Sequence, residues 1–290
     1  MKLILKFNLV FVAVFIAGLS AAGYVSWTLL QQNAREEVAQ NARLVMETAL
    51  STRAYTSIQL RPLLETQMKY KFLPQSVPAY SATEVLNGLR KNFPEYGYKE
   101  ATLNPTNPRN RATDWEADIV HQFRNGVETA EIVGERDTPG GRSFYIARPI
   151  KITSEACLSC HSTVDAAPKT MIDKYGPANG FGWKLNEIVG AQIVALPTAV
   201  PFERANRAFH TFMLSLTIVF VLIAVALNVM LYFTVIRPVT TLSRLADQVS
   251  LGNLDVPEFT VQRRDEIGLL AGSFNRMRKS LVEAIKLLDA

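Results

Sequence analysis

Two uncharged apolar stretches, Leu9 to Leu30 and Phe212 to Val235, set the frame for everything else in this chain. A bilayer core is crossed by about 20 mostly apolar residues, and each stretch is long enough. Inside lipid every backbone polar group needs an internal partner, so both spans must be helices. The first is preceded by Lys2 and Lys6, and Ser20-Ala21-Ala22-Gly23 has the small-residue look of a cleavage site. The apolar run continues past it through Tyr24, Val25, Trp27, Leu29 and Leu30, which is long for a signal peptide and predicts an uncleaved anchor. Lys2 and Lys6 at one end, with Arg237 and Arg244 at the other, predict that both termini lie in the cytoplasm. Arg204 and Arg207 sit on the opposite side and weaken that asymmetry slightly. The expected division is a cytoplasmic N-terminus over 1–8, spans over 9–30 and 212–235, an outer segment over 31–208 and an inner segment over 236–290.

The net charge of +5 raises the question of nucleic acid. The basic residues are scattered, with no dense stripe and no interleaved aromatics, so no nucleic-acid partner is expected.

The outer segment contains the chain's two cysteines in one pentapeptide, Cys157-Leu158-Ser159-Cys160-His161. Two thiols separated by two residues and followed by histidine form the attachment pattern of a c-type haem. Cys157 and Cys160 would add to the two vinyl groups, and His161 would supply the proximal axial ligand to iron. A structural zinc site usually needs four ligands, and this cluster offers three. A redox disulfide would fit a thioredoxin-like context and leaves His161 unexplained. One covalent haem c is the expected cofactor. Its attachment side of the membrane agrees with the outer placement derived from the charges.

Around the motif, residues 31–70 read as one long stalk helix, with Ala39, Ala42, Met46, Ala49, Leu50 and Leu60 near helical spacing and a bend at Pro62. Pro74 and Pro78 break the pattern, and Ala82 to Asn92 reads as a short helix capped by Ser81 or Thr83. Leu103 to Asn110 is turn chemistry. Asp114 to Arg124 reads as a helix with Trp115, Ile119, Val120 and Phe123 on one side. Thr129 to Glu135 and Ser143 to Ile150 read as strands of a hairpin turning at Pro139-Gly140-Gly141, and Ile188 to Leu196 as a third, buried strand. The expected outer fold is α+β.

Four segments then carry a resemblance: Asn104-Pro105-Thr106-Asn107-Pro108, Phe144-Tyr145-Ile146-Ala147-Arg148-Pro149-Ile150, the pentapeptide, and Gly182-Trp183-Lys184-Leu185-Asn186-Glu187-Ile188-Val189-Gly190. In this order they resemble the c-type-haem, PAS-like sensor family, once known as a domain of unknown function. The resemblance implies a PAS-like fold with one covalent haem and names no substrate. In the inner segment, Val239, Leu242, Ala246 and Val249 lie three and four apart. So do Ile267, Leu270, Phe274, Met277, Leu281, Ala284 and Leu288, which makes an a/d seam. With Pro238, Gly252 and Asp265-Glu266-Ile267-Gly268 in their places, this stretch resembles a HAMP signal-relay module. That resemblance implies a parallel four-helix bundle built by two subunits.

Met46, Met68, Met171, His121 and His210 are the candidates for the sixth haem position. In the resembling family the first helix passes close to the haem, and small neighbours flank Met46, so Met46 is the candidate distal ligand. Arg142, Lys151, Lys169, Tyr175 and Trp183 are positional candidates for the propionates. The expected function is a homodimeric membrane sensor of redox state or of a small gas such as NO or CO. The signal would leave through the HAMP module to an unidentified cytoplasmic partner in trans, as the sequence ends at Ala290. The alternative is a membrane-tethered electron carrier working with a redox partner, which needs no relay. No convergent acid–base pair accompanies the motif, so no enzymatic activity is expected. The expected location is an inner or plasma membrane, or a thylakoid, with the haem domain in the periplasm or thylakoid lumen and the HAMP module in the cytoplasm.

Overall fold

The computed structural model describes residues 3–126, 130–139, 141–259 and 265–288. Lys2, Thr129, Gly140 and Ala290, named above, lie outside the described residues. The chain divides into two compact units, one of Thr28–Ala208 and one of Met1–Trp27 with Phe209–Ala290.

Helix α1 runs over Leu3–Tyr55 without a break. No proline interrupts it, and its apolar first half is exposed except for a half-buried stripe at Asn8, Phe11, Phe15, Leu19 and Ala22. Beyond the span the pattern changes. Ala34, Val38, Ala42, Val45, Met46 and Ala49 are buried at three-to-four spacing, while the charged residues between them stay out. The expected bend at Pro62 takes a different form. A π-turn over Thr56–Leu60 precedes helix α2, Arg61–Met68, which carries Pro62 in its first turn. Proline lacks an N–H and crowds the carbonyl four residues back, and a wide turn relieves both.

Helix α3 spans Pro78–Leu89, starting earlier than the sequence reading placed it. Pro78 takes the first turn, where its missing N–H is harmless, and no side chain caps the helix. Ser81 instead donates to the Gln75 carbonyl at 2.8 Å.

Strands β1 (Gly97–Thr102), β2 (Ile132–Thr138), β3 (Gly141–Lys151) and β4 (Ile188–Pro197) form one antiparallel sheet in the order β1-β4-β3-β2. Strand β1 was not foreseen, because Tyr98-Lys99-Glu100 reads as polar. Strand β4 is central, and both of its faces are covered. Val194 and its register partner Ile146 pack towards α1 with Met46, Leu86 and Tyr98. The next residues, Ile193 and Ala147, pack on the other face with Ile119, Val120 and Phe123 of helix α4, Asp114–Arg124. Two covered faces explain why β4 reads as a continuous apolar run. Full burial of Ile146 or Val194 stabilises the fold by about 1.5–3 kcal/mol each. A capping box between Thr113 and Glu116 starts α4.

In the other unit, helix α7 (Ala199–Leu231) supplies the second long apolar helix. Asn8 and Asn228 exchange two amide hydrogen bonds of 2.9 Å between α1 and α7. Phe15 stacks on Phe220 with ring centroids 4.6 Å apart. A second π-turn, Tyr232–Ile236, leads to helix α8, Arg237–Ser250. Gly252, at φ +90°, turns the chain into an extended connector. Helix α9, Glu266–Leu288, opens where the Asp265 carboxylate accepts from the Gly268 N–H at 2.9 Å. Leu242, Leu245, Val249, Val256, Phe259, Ala271 and Phe274 form a cluster of their own. Leu270, Met277 and Leu281 of the predicted seam remain exposed.

Candidate functional site

The pentapeptide ends a short helix, α5, over Glu155–His161. Ser154 starts it, its hydroxyl accepting from the Ala156 N–H at 3.2 Å. Residues three apart on a helix are neighbours on one face, so Cys157 and Cys160 present their thiols together. Both thiols are free and half-buried.

His161 is held on three sides. Its Nδ1 lies 2.7 Å from the Gly180 carbonyl oxygen. A carbonyl only accepts, so Nδ1 carries the proton and Nε2 keeps its lone pair. The Thr106 hydroxyl lies 3.4 Å from the same nitrogen. Trp183 stacks on the imidazole at 4.0 Å between centroids and 16° between planes. Two backbone bonds draw this segment against α5: Trp183 N–H to the His161 carbonyl at 3.1 Å, and Gly182 N–H to the Ser162 carbonyl at 2.9 Å.

Gly180 is fastened from the other side by Asn104. The Asn104 side chain accepts from the Gly180 N–H at 3.2 Å and donates to the Phe181 carbonyl at 3.3 Å. Gly180 has φ +88°, and a Cβ there would lie 2.0 Å from Thr106 Oγ1 and 2.8 Å from Thr106 Cα. Only glycine meets both demands. The loop Asn104-Pro105-Thr106 is therefore a latch that sets the carbonyl orienting His161. Burial pushes the His161 pKa below its ordinary value. The Gly180 hydrogen bond works against that shift, and the nearby Arg61 charge adds to it. The result is a neutral imidazole whose Nε2 is bonded by no described residue.

The stalk contributes charge. Arg53 of α1 pairs with Glu100 of β1, and the Tyr98 hydroxyl donates to the same carboxylate at 2.8 Å. Burial opposes the Arg53 charge, but Glu100, Tyr98 and Cys157 together hold its pKa above the usual value. Burial, reinforced by Glu100, raises the Tyr98 pKa strongly. Further along the sheet, Arg148 bridges Glu47 of α1 at 2.7 Å and Glu131 at 3.0 Å.

The other sequence candidates are dispersed. Met46 is fully buried in the cluster between α1, α3 and the sheet, and no residue of α5 belongs to that cluster. Met171 is buried in helix α6, Lys169–Tyr175. Met68 is half-buried at the end of α2, and His121 and His210 are exposed. Arg142 pairs with Glu135 at 3.0 Å on the hairpin, and Lys151 and Lys169 are exposed. Tyr175 lies edge-on to Phe72 at 5.8 Å, and its pKa is raised by burial. Trp183 is the one candidate from that set that touches His161. Arg53, Glu100 and Arg61 were missed by the sequence reading. Their charge looked like ordinary stalk and surface polarity, and nothing local marks Arg53 and Glu100 as a pair.

The donor set fits a covalently attached haem: two free thiols one helical turn apart, and an imidazole fixed in the tautomer that leaves Nε2 available.

Comparisons with known proteins place the chain in a family. A HAMP domain profile matches residues 230–283. No curated protein matches the chain. Among solved structures, the chain is similar to the cyanobacterial haem protein Tll0287, at 15% identity and a TM-score of 0.41, over 56% of this chain and 93% of that one. A Tll0287-like profile matches residues 31–197, more than half of the sequence, and the chain therefore belongs to the Tll0287-like family, here joined to a HAMP domain.

Proposed function

We propose that the chain is a membrane-anchored, non-enzymatic sensor that carries one covalent c-type haem in a PAS-like outer domain and relays its state through HAMP. The observation that carries this reading is the His161 latch. A neutral imidazole, oriented by Gly180, stands directly after two free thiols on one face of α5. When bound, haem would supply a one-electron couple and an axial position for a small ligand. The residues of the chain have separate tasks. Cys157 and Cys160 hold the ring covalently. His161 offers Nε2, and Gly180, Asn104 and Thr106 fix its orientation. Trp183 shields one face of the imidazole from water.

The route inward is supported by continuity. Helix α1 is uninterrupted from the first apolar span to Tyr55 and carries Arg53 on its last turn. Arg53–Glu100 and the Glu47–Arg148–Glu131 network tie this helix to the sheet. A change of charge or ligation at the site would bias how α1 packs, and small helix shifts are a recognised switching move. The exposed Leu270, Met277 and Leu281 of α9 support a second copy as the partner that completes the HAMP bundle. The HAMP domain would hand the signal to an unidentified cytoplasmic partner. The positive-inside pattern supports a haem domain on the periplasmic or lumenal side.

The full chain, produced with a c-type cytochrome assembly system, should show a covalent haem spectrum that survives denaturation. The signal should be lost in Cys157→Ala/Cys160→Ala. Its absence from wild type sinks the reading. Met46→Ala separates the two sensing modes. Loss of a methionine charge-transfer band makes Met46 the sixth ligand and the stimulus redox. Unchanged spectra with ready CO binding make the sixth position a gas site. Rapid electron exchange with a soluble cytochrome, without any HAMP response, would instead identify a tethered carrier.

A further inference from the structure

In the unit that holds both spans, α1 and α7 meet along one stripe each. Half-buried residues recur three and four apart from Asn8 to Ala22 on α1 and from Met213 to Asn228 on α7. The contacts keep a single antiparallel register. Asn8 lies opposite Asn228, Phe15 stacks on Phe220, and Trp27 meets Phe209 edge-on at 5.2 Å. A Cβ on Gly23 would lie 3.4 Å from Met213 Cε. From 8 to 27 on one helix and from 228 back to 209 on the other is 19 residues each, so no slip accumulates between the first contact and the last. That length is about 28 Å, close to the thickness of a bilayer core. In the other unit the same two helices are joined once more, where the Gln31 amide donates to Asn206 Oδ1 at 2.8 Å.

The ring contacts tolerate sliding, because apolar attraction has no direction. The Asn8–Asn228 pair does not. Each amide group gives one hydrogen to the oxygen of the other, at 2.9 Å in both directions. Each gives its second hydrogen to the carbonyl one turn back on its own helix, Ile4 at 3.0 Å and Ala224 at 2.9 Å. Both side chains are therefore fastened to their own helices and cannot follow a partner that moves along the axis. Helix shifts in switching proteins reach about 2 Å, and such a slide would stretch a bond of 2.9 Å to about 3.5 Å, where little of it remains. Within a span the freed amides would have few other partners.

We propose that the Asn8–Asn228 pair locks the register of the two spans, so that a signal crosses the membrane by α1 and α7 moving together and not by α1 sliding along α7. The inference rests on the sensor reading above and deepens it. A buried asparagine pair that specifies register while adding little stability has its counterpart in coiled coils.

The test is cross-linking of the haem-loaded full chain in nanodiscs with dibromobimane, whose thioether links survive a reductant. Phe15→Cys is combined with Leu216→Cys, Phe220→Cys or Ala224→Cys. Four residues along a helix span about 6 Å, so the 15/220 pair should link roughly tenfold faster than either neighbour pair, in ferric and ferrous protein alike. In Asn8→Leu/Asn228→Leu the neighbour pairs should come within about threefold of it, because apolar contacts alone specify register weakly. Hydrogen–deuterium exchange of α9 peptides reads the relay, and its difference between ferric and ferrous protein should persist after the 15/220 pair is bridged. Gly23→Cys/Met213→Cys takes the place of the 15/220 pair if loss of the ring stack unfolds the spans. A preferred pair that changes with haem state, a bridge that abolishes the α9 difference, or a linking pattern untouched by the double leucine variant overturns the inference and leaves the sensor reading standing. Unbridged protein with no haem-dependent difference in α9 overturns both.

Discussion

Replacing Arg53 by methionine removes the partner of a carboxylate that cannot escape to water. The Glu100 side chain is 3% exposed and that of Arg53 24%. After Arg53→Met the carboxylate keeps the Tyr98 hydroxyl at 2.8 Å as its remaining side-chain partner. Breaking a buried pair costs about 3–5 kcal/mol. Arg53 is a quarter exposed, so water can partly replace it, and the lower figure of about 3 kcal/mol applies. Each 1.4 kcal/mol or so is a factor of about ten, so local opening of β1 should become roughly a hundredfold more frequent. Hydrogen–deuterium exchange of peptides covering Gly97–Thr102 measures that opening in the full chain. Arg53→Met/Glu100→Leu removes both charges and should return exchange to within about tenfold of wild type, since a buried pair replaced by apolar groups is often neutral. Exchange in Arg53→Met within threefold of wild type, or a double variant as fast as the single one, would refute the reasoning.

Gly180→Ala forces a side chain into Thr106 at a positive φ, so the carbonyl should swing away from His161 Nδ1. Losing that bond, worth about 0.5–1.5 kcal/mol, should raise the haem reduction potential by up to roughly 60 mV in redox titration, because a less basic imidazole donates less to ferric iron. Tyr98 is held neutral in the folded state, its pKa raised above the ordinary 10.0. Its contribution is therefore fully present below about pH 10 and is lost as pH rises towards the folded value. Alkaline unfolding should show a pH-dependent step that Tyr98→Phe diminishes, although the variant loses the Glu100 hydrogen bond. Asn228→Leu leaves the Asn8 side chain with only its bond to the Ile4 carbonyl at 3.0 Å. It should cost about 1 kcal/mol in SDS unfolding, with most of the loss recovered in Asn8→Leu/Asn228→Leu.

Much of the architecture was legible because it depends on periodicity and local chemistry. Helix α4 occupies the predicted Asp114–Arg124, since a capping box and a 3.6-residue apolar pattern both act within its own residues. Strand β4 was readable as an apolar run between Gly and Pro signals. Strand β1 was not, because its place at the sheet edge depends on pairing with β4, and its buried Glu100 is tolerated only through Arg53, distant in sequence. Helix α3 was placed late because Pro78 was read as a breaker where the fold uses it as a first-turn residue.

The candidate site divides in the same way. Cys157, Cys160 and His161 lie within one pentapeptide, so their spacing alone raised the expectation of a covalent haem. The elements that orient His161 come from two other stretches, Asn104 to Thr106 and Gly180 to Trp183. Glycine at 180 looks like any loop glycine until Thr106 is seen against it. The sequence by itself determined that this chain has two bilayer-length helices, a Cys-x-x-Cys-His motif between them and a HAMP domain after them, because apolar length and contiguous motifs are local properties. Only the tertiary structure decided which carbonyl holds the histidine and which arginine pairs with the buried Glu100, because hydrogen bonds and ion pairs depend on distances that chain order does not encode.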